Sequence, residues 1–155
     1  MAKIDSRAKG ATAERAVRNE LRSLTGLQWE RVPASGGLHE VHGLKGDLYV
    51  PNEKNLFCVE VKHYADDQVN TKILTGKSPI FYDWWAQTIR EGKQVNRDPL
   101  LIFKHNRSKL FVATEIEPIN CCKFMHIYDL DRAVCLYLLE LKEWVIEENI
   151  KFILE

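Results

Sequence analysis

Apolar residues along the chain follow two spacings. Between residues 10 and 25, Ala13, Val17, Leu21 and Leu24 recur every three or four positions and Gly26 follows, which predicts an amphipathic helix with a glycine stop. Leu27 to Val32 predicts a short edge strand, and a glycine-rich loop runs from Pro33 to Gly46. Two β-prone runs, one ending at Val50 and one opening at Leu56, then flank Pro51-Asn52-Glu53-Lys54-Asn55, a cluster of turn-forming and charged residues that predicts a hairpin. Residues 64 to 78 are polar and irregular. Pro79 opens a second helix expected to reach Glu91 and stop at Gly92, with Ile80, Trp84, Gln87 or Thr88, and Glu91 on one stripe and Phe81, Trp85 and Ile89 on another. Pro99 to His105 reads as a buried strand, Asn106-Arg107-Ser108 as a turn, and Lys109 to Thr114 and Ile119 to Tyr128 as further strands. From Asp129 to Asn149 helical spacing returns, with Val134, Tyr137, Leu138, Leu141 and Val145 on one face and Glu140, Glu143 and Glu147 opposite. The expected fold class is α/β, a mixed central β-sheet flanked by helices.

The hairpin carries the chemistry. If Pro51 faces Leu56, opposing residue numbers sum to 107, so Asp47 stands opposite Glu60. Side chains alternate along a strand, so Lys62 emerges on the face that carries Glu60. Two acids and an ammonium then share one end of a strand pair whose other residues, Leu56, Phe57, Cys58, Val59 and Val61, are apolar. Buried like charges repel, and a divalent cation relieves them. Mg²⁺ suits the pattern, because it takes one or two carboxylates and fills its remaining positions with water and phosphate oxygen. A lysine beside it can orient or activate a water. Glu-x-Lys alone carries no information, since Glu60, Glu91 and Glu140 all begin one. Glu91 falls at the expected helix end and Glu140 inside the expected helix, so only Glu60-Val61-Lys62 lies in a strand facing an acid.

Length and composition narrow the setting. A chain of 155 residues, 45% of them hydrophobic, suits one domain, residues 1–155, with residues 1–9 as a polar, mobile arm and residues 129–155 as a C-terminal helical segment. No apolar run spans a bilayer and the N-terminus lacks a signal peptide's apolar core, so a soluble, cytoplasmic protein without a membrane partner is expected. Cys58, Cys121, Cys122 and Cys135 form no CxxC pair and read as free thiols. Net charge is zero, but residues 1–110 hold 18 Lys+Arg against 13 Asp+Glu, and the remaining residues hold 4 against 9. A basic, DNA-facing surface is compatible with that division.

Other candidates surround the hairpin. Arg15, Arg18 and Arg22 form a row on the first helix able to meet phosphates. Glu14 lies beside the apolar stripe, either as an acid near the helix N-terminus or as a further acid of the site. Lys104, Arg107 and Lys109 ring the turn after the strand at Pro99. His39 and His42 lack a Cys or His partner at ligand spacing, which argues against zinc. Thr75-Gly76-Lys77-Ser78 lacks the first glycine of a phosphate loop.

An Asp followed across a hairpin by Glu-x-Lys resembles the PD-(D/E)xK nuclease superfamily, with its restriction-endonuclease-like core. Lys9-Gly10, Glu14-Arg15, Arg31, Pro33-Ala34-Ser35-Gly36, Asp47 and Glu60-Val61-Lys62 follow the order and approximate spacing of its archaeal Holliday junction resolvases, which have phage relatives. The resemblance covers residues 9 to 63. It implies a Mg²⁺-dependent endonuclease, with Mn²⁺ as a substitute, that works in recombination and repair as a homodimer making paired nicks in branched, four-way DNA. It further implies that Asp47 and Glu60, with the Val61 carbonyl and Glu14, surround the metal and that Lys62 acts on the attacking water. Ser35 resembles the loop serine near the scissile phosphate; Lys9, Arg15, Arg31 and Gly36 fall in the matched DNA-contacting segments. A glutamine on the second helix lies near the metal in related nucleases, a role open to Gln87. Gly46 stands where the family usually has a proline. An endonuclease for another DNA substrate (restriction, flap or mismatch) and a non-catalytic DNA-binding module of the same fold are the alternatives.

Overall fold

In a computed structural model of the chain, which describes residues 6–33 and 44–155, a seven-stranded sheet forms the centre. The described elements run α1 (Ser6–Thr25), β1 (Glu30–Arg31), β2 (Leu48–Tyr49), β3 (Phe57–Tyr64), α2 (Lys72–Thr75), α3 (Ile80–Val95), β4 (Asp98–His105), β5 (Phe111–Thr114), β6 (Met125–Asp129), β7 (Val134–Glu140) and α4 (Leu141–Glu147). Strand order is β1-β2-β3-β4-β5-β7-β6. Only β3 and β4 are parallel, joined by a crossover through α3; all other neighbours are antiparallel. The mixed sheet with flanking helices is the expected class.

Each sheet face has its own core. Val59 and Val61 of β3 join Leu100, Ile102 and Val112 under Val17 and Leu21 of α1 and Trp144 of α4. Leu101, Phe103, Leu136 and Leu138 pack on the other face against Phe81, Trp84 and Trp85 of α3. A strand covered on both faces reads as continuous hydrophobicity. In β3 that run is broken on the α3 face by Glu60 and Lys62.

The hairpin register is the one read from the sequence: Leu48 lies opposite Val59. Its turn is fastened by Asn55, which is 5% exposed. Asn55 Oδ1 accepts the Val50 N–H at 2.8 Å, and Asn55 Nδ2 donates to the Val50 carbonyl at 2.8 Å and to that of Glu53 at 3.0 Å. Asn52 supplies the positive φ, 63°, that the turn requires.

Three expectations are corrected. The segment after Asp129 is not helical throughout, because residues 134–140 form β7 and only Leu141–Glu147 is a helix. Val134, Leu136 and Leu138 are buried on the α3 face at a period of two, and in so apolar a run that period overlaps the helical one. α3 passes through Gly92, ends at Val95 and is capped by Asn96, whose φ is 54°. Gly92 serves packing, since a Cβ there would stand 2.8 Å from the Arg97 carbonyl oxygen. α1 begins at Ser6, so Arg7 and Lys9 belong to a helix and not to an arm.

Candidate active site

Asp47 precedes β2 and faces Glu60 because of the register just described. Its backbone N–H donates to the Val59 carbonyl at 2.7 Å, and its Oδ2 accepts the Val61 N–H at 2.7 Å. Both bonds tie the carboxylate to β3. The chain enters this position through Gly46, with φ of 82°; a Cβ on Gly46 would lie 2.6 Å from the Val59 carbonyl oxygen. The glycine in the family's proline position is therefore required by the backbone, because proline fixes φ near −65°.

Glu60 is 2% exposed. Burial, reinforced by the neighbouring Glu91 carboxyl and by the charge of Asp47, pushes its carboxyl up to about 11. Asp47 is also raised, chiefly by burial, although the Val61 N–H, Glu60 and Lys62 pull it back. Glu91, on the inner stripe of α3, closes the group. Its carboxyl adds to the upward push on Glu60, and its Oε2 is buried without a hydrogen-bond partner. Glu14 of α1 approaches from the other direction. Burial and then the Asp47 charge raise it, while Arg31 Nε lies 3.5 Å from Glu14 Oε1. Cys58, the next β3 side chain on the α3 face, has its thiol pushed up to about 12 by burial, so it is no nucleophile.

Does this donor set suit a metal? Among the described residues no three His, Cys, Asp or Glu side chains form a ready-made metal cage. The facing pair Asp47 and Glu60 offers one or two carboxylates, the number Mg²⁺ takes with its other positions left to water and phosphate. Glu60 raised to about 11 and the unpartnered Glu91 oxygen show buried carboxyls short of positive charge. The donors are all hard oxygens. The residues fit the ion.

Residues 5–151 match the model of the family described as "Phage putative PDDEXK endonuclease". The chain belongs to that family. Protein D14 of Escherichia phage T5 is 44% identical over 115 residues, which is 72% of this chain and 72% of that protein. The matched span includes the hairpin, in which Asp47 stands before β2 and Glu60-Val61-Lys62 lies on β3.

Around these acids the other candidates are distributed unevenly. Lys62 is half-buried, near enough to act on Asp47 electrostatically. Val61 donates its N–H to Asp47. Arg31 and Glu14 are paired beside Asp47. Arg15 is exposed and its charge reaches Glu14; Lys9 is exposed on α1. The row of three arginines is broken: Arg22 donates to the Trp29 carbonyl at 2.9 Å and to Glu30 at 2.8 Å, so it braces β1. Arg18 bonds Asn19. The β4–β5 turn is tied to the end of β3 by Asn106 N–H to the Ala65 carbonyl, which sets Lys104 and exposed Arg107 beyond the Lys62 end of the sheet. Lys109 lies 3.7 Å from Glu140. Ser35, Gly36, His39 and His42 lie outside the described residues. Among the described residues no helix is long and apolar enough to cross a membrane.

Glu91 is the residue the sequence reading passed over. Its place on the Trp84 stripe was visible, but Gly92 read as a helix stop and put Glu91 at a frayed end. The helix position that meets the acids is Glu91, one turn after the candidate Gln87.

Proposed function

We propose that this member of the phage PDDEXK family is a Mg²⁺-dependent endonuclease that acts on branched DNA, cutting four-way junctions by paired nicks as a homodimer. The observation that carries the reading is Asp47 facing Glu60 in a buried hairpin, with Lys62 on the same face. Asp47 and Glu60, with the Val61 carbonyl and with Glu14 and Glu91 close by, would hold the ion. When bound, it supplies charge neutralisation for the phosphate oxygens and acidifies a water.

The chain's own residues do the remaining work. Asp47 is held rigid by two hydrogen bonds to β3, so the group that faces the phosphate needs no reorganisation during reaction. Lys62 Nζ orients the attacking water toward phosphorus. A P–O bond to that water forms, the P–O bond to a deoxyribose oxygen breaks, the water gives up a proton to solvent and the leaving oxygen takes one up from solvent to become a hydroxyl. Burial of Glu60 keeps bulk water from the acids. Arg31, paired with Glu14, and Arg107, beyond Lys62, offer cations on either side of the scissile phosphate.

The preference for junctions rests on the resemblance to the resolvases over residues 9 to 63 and on a compact chain suited to reading DNA shape. The test is cleavage of a synthetic four-way junction, a flap and a linear duplex side by side, with Mg²⁺ and with EDTA. Junction nicking that needs Mg²⁺ and is abolished in Asp47→Asn, with binding retained, is the expected result. Equal cutting of all three would leave an endonuclease without junction selectivity, and no cutting of any would overturn the reading.

A further inference from the structure

α3 has a second lined face. Residues one and two turns apart on a helix share a side, so Trp85, Ile89 and Lys93 look away from the stripe that carries Glu91. There α3 and the β6–β7 turn enclose a groove of about 730 Å³. Trp85, Ile89 and Val134 form its floor, and Arg90, Lys93 and Arg132 stand on its rim. Among the described residues no Asp or Glu lines it.

Arg132 is fixed. Its guanidinium lies 5.1 Å above the Tyr82 ring and donates to the carbonyls of Gly76 and Lys77. The nearby acid Asp129, outside the lining, accepts the backbone N–H of Arg132 at 3.1 Å. Arg90 and Lys93 are exposed. Three cations above an apolar floor with no acid between them focus a positive potential that suits a polyanion.

The floor says which part of a polyanion enters. Trp85 is 2% exposed and Tyr82 8%, so neither ring presents the open face on which a base stacks. A sugar–phosphate backbone fits instead, with phosphates at the rim and deoxyribose against the floor. A helix with its side chains is about 10–12 Å across, much less than the ~34 Å of one duplex turn. One duplex turn is therefore long enough to span from the acids of β3 to this groove.

We infer that the groove between α3 and the β6–β7 turn holds the backbone of the DNA arm that flanks the cleavage point. This rests on the endonuclease reading for the identity of the polyanion. The test is fluorescence anisotropy of the full chain on a labelled four-way junction in EDTA, over a range of salt, for wild type and Arg90→Ala/Lys93→Ala. Each lost phosphate contact lowers the slope of log K against log salt by about 0.9, so the double variant should lose about 2. Its kcat at saturating DNA with Mg²⁺ should match wild type, with the loss in KM. The charge-preserving Arg90→Lys/Lys93→Arg should restore the slope, which a merely structural defect would not. An unchanged slope in the alanine variant, or a loss the charge-preserving variant does not repair, overturns the inference. A lost and restored slope in a protein that cuts no substrate leaves the groove assigned and removes only the nuclease reading.

Discussion

Glu60 of β3 and Glu91 of α3 meet across the interface of helix and sheet, two acids close enough that Glu91 raises Glu60, with Asp47 beside them. Glu60 is raised from 4.5 to about 11. A folded-state value above the unfolded one means that the folded protein keeps a proton the unfolded chain gives up. The stability it contributes is fully present below about pH 4.5 and is lost as pH rises toward 11. Metal-free protein should therefore lose thermal stability between neutral and alkaline pH. Glu60→Gln, which is never charged, should flatten that decline and raise Tm at alkaline pH by about 5 °C, given ~2–4 °C per kcal/mol at this size. Thermal scans in EDTA across pH check it; a variant less stable than wild type at every pH would contradict it.

If the proposed function holds, Mg²⁺ at the same acids would replace that proton. Affinity should then rise with pH, with proton release visible as a buffer-dependent heat. Glu91→Gln keeps the shape of α3 and removes a negative charge next to Glu60. The expected outcome is a Mg²⁺ affinity about 10–100-fold weaker, the usual effect of losing a group that supports a ligand. Isothermal calorimetry without DNA measures it. An unchanged affinity would make Glu91 a bystander.

Gly46 admits no side chain. In Gly46→Ala the new Cβ must move away from a backbone carbonyl 2.6 Å off, and the residue must hold a φ of 82°. The left-handed conformation alone costs about 1–2 kcal/mol, and relief comes by shifting Asp47 off β3. Cleavage should fall more steeply than stability. The check is a comparison of Tm with initial rate; loss of stability with full activity would contradict it.

How much of this was legible in the sequence follows from what each signal depends on. The Asp47–Glu60 opposition needed only local information, a turn at Pro51 to Asn55 and the period-two alternation of β3, and the observed pairing of Leu48 with Val59 agrees. The α3 aromatics were legible as a packing stripe for the same reason. β7 was not, because Val134 to Leu141 is apolar enough to satisfy either period, and its strand state is set by pairing with β5 and β6, distant in sequence. Glu91 and Arg22 were misjudged because tertiary partners decide them. Gly92 is buried against the Arg97 carbonyl where composition suggested a stop, and Arg22 is taken by Glu30 and the Trp29 carbonyl where spacing suggested a free cation.

Glu148 shows the same dependence on distant partners. Its carboxylate accepts the N–H groups of Ile119, Asn120 and Cys121 at 2.6, 2.5 and 2.8 Å, and those bonds lower it below the usual range, led by that of Ile119. A lowered value contributes stability above the unfolded pKa and loses it as pH falls through the folded one. The 119–121 amides should thus be protected from hydrogen exchange near neutrality and open in acid. Glu148→Gln should expose them at every pH. Equal protection in the variant would mean that other contacts hold the segment.

The turn before β3 sets the register of the candidate site. Asn55 gives both its amide groups to the Val50 backbone and the Glu53 carbonyl inside a buried turn. Asn55→Ala leaves the Val50 N–H and C=O without partners, and with net hydrogen bonds at ~1 kcal/mol and an unsatisfied buried group at ~1–3, a loss of about 3 kcal/mol is expected. The effect should reach the site, because the turn aligns Leu48 with Val59 and so places Asp47 opposite Glu60. A one-residue slip would turn the Asp47 side chain to the opposite face. Asn55→Asp keeps the oxygen that accepts the Val50 N–H and loses only the donor. It should retain more Mg²⁺ binding than Asn55→Ala at equal folded fraction. Denaturant melts and metal calorimetry on the two variants separate the contributions. Full metal binding in a destabilised Asn55→Ala would show that Asp47 is held in place by its own bonds to Val59 and Val61 alone.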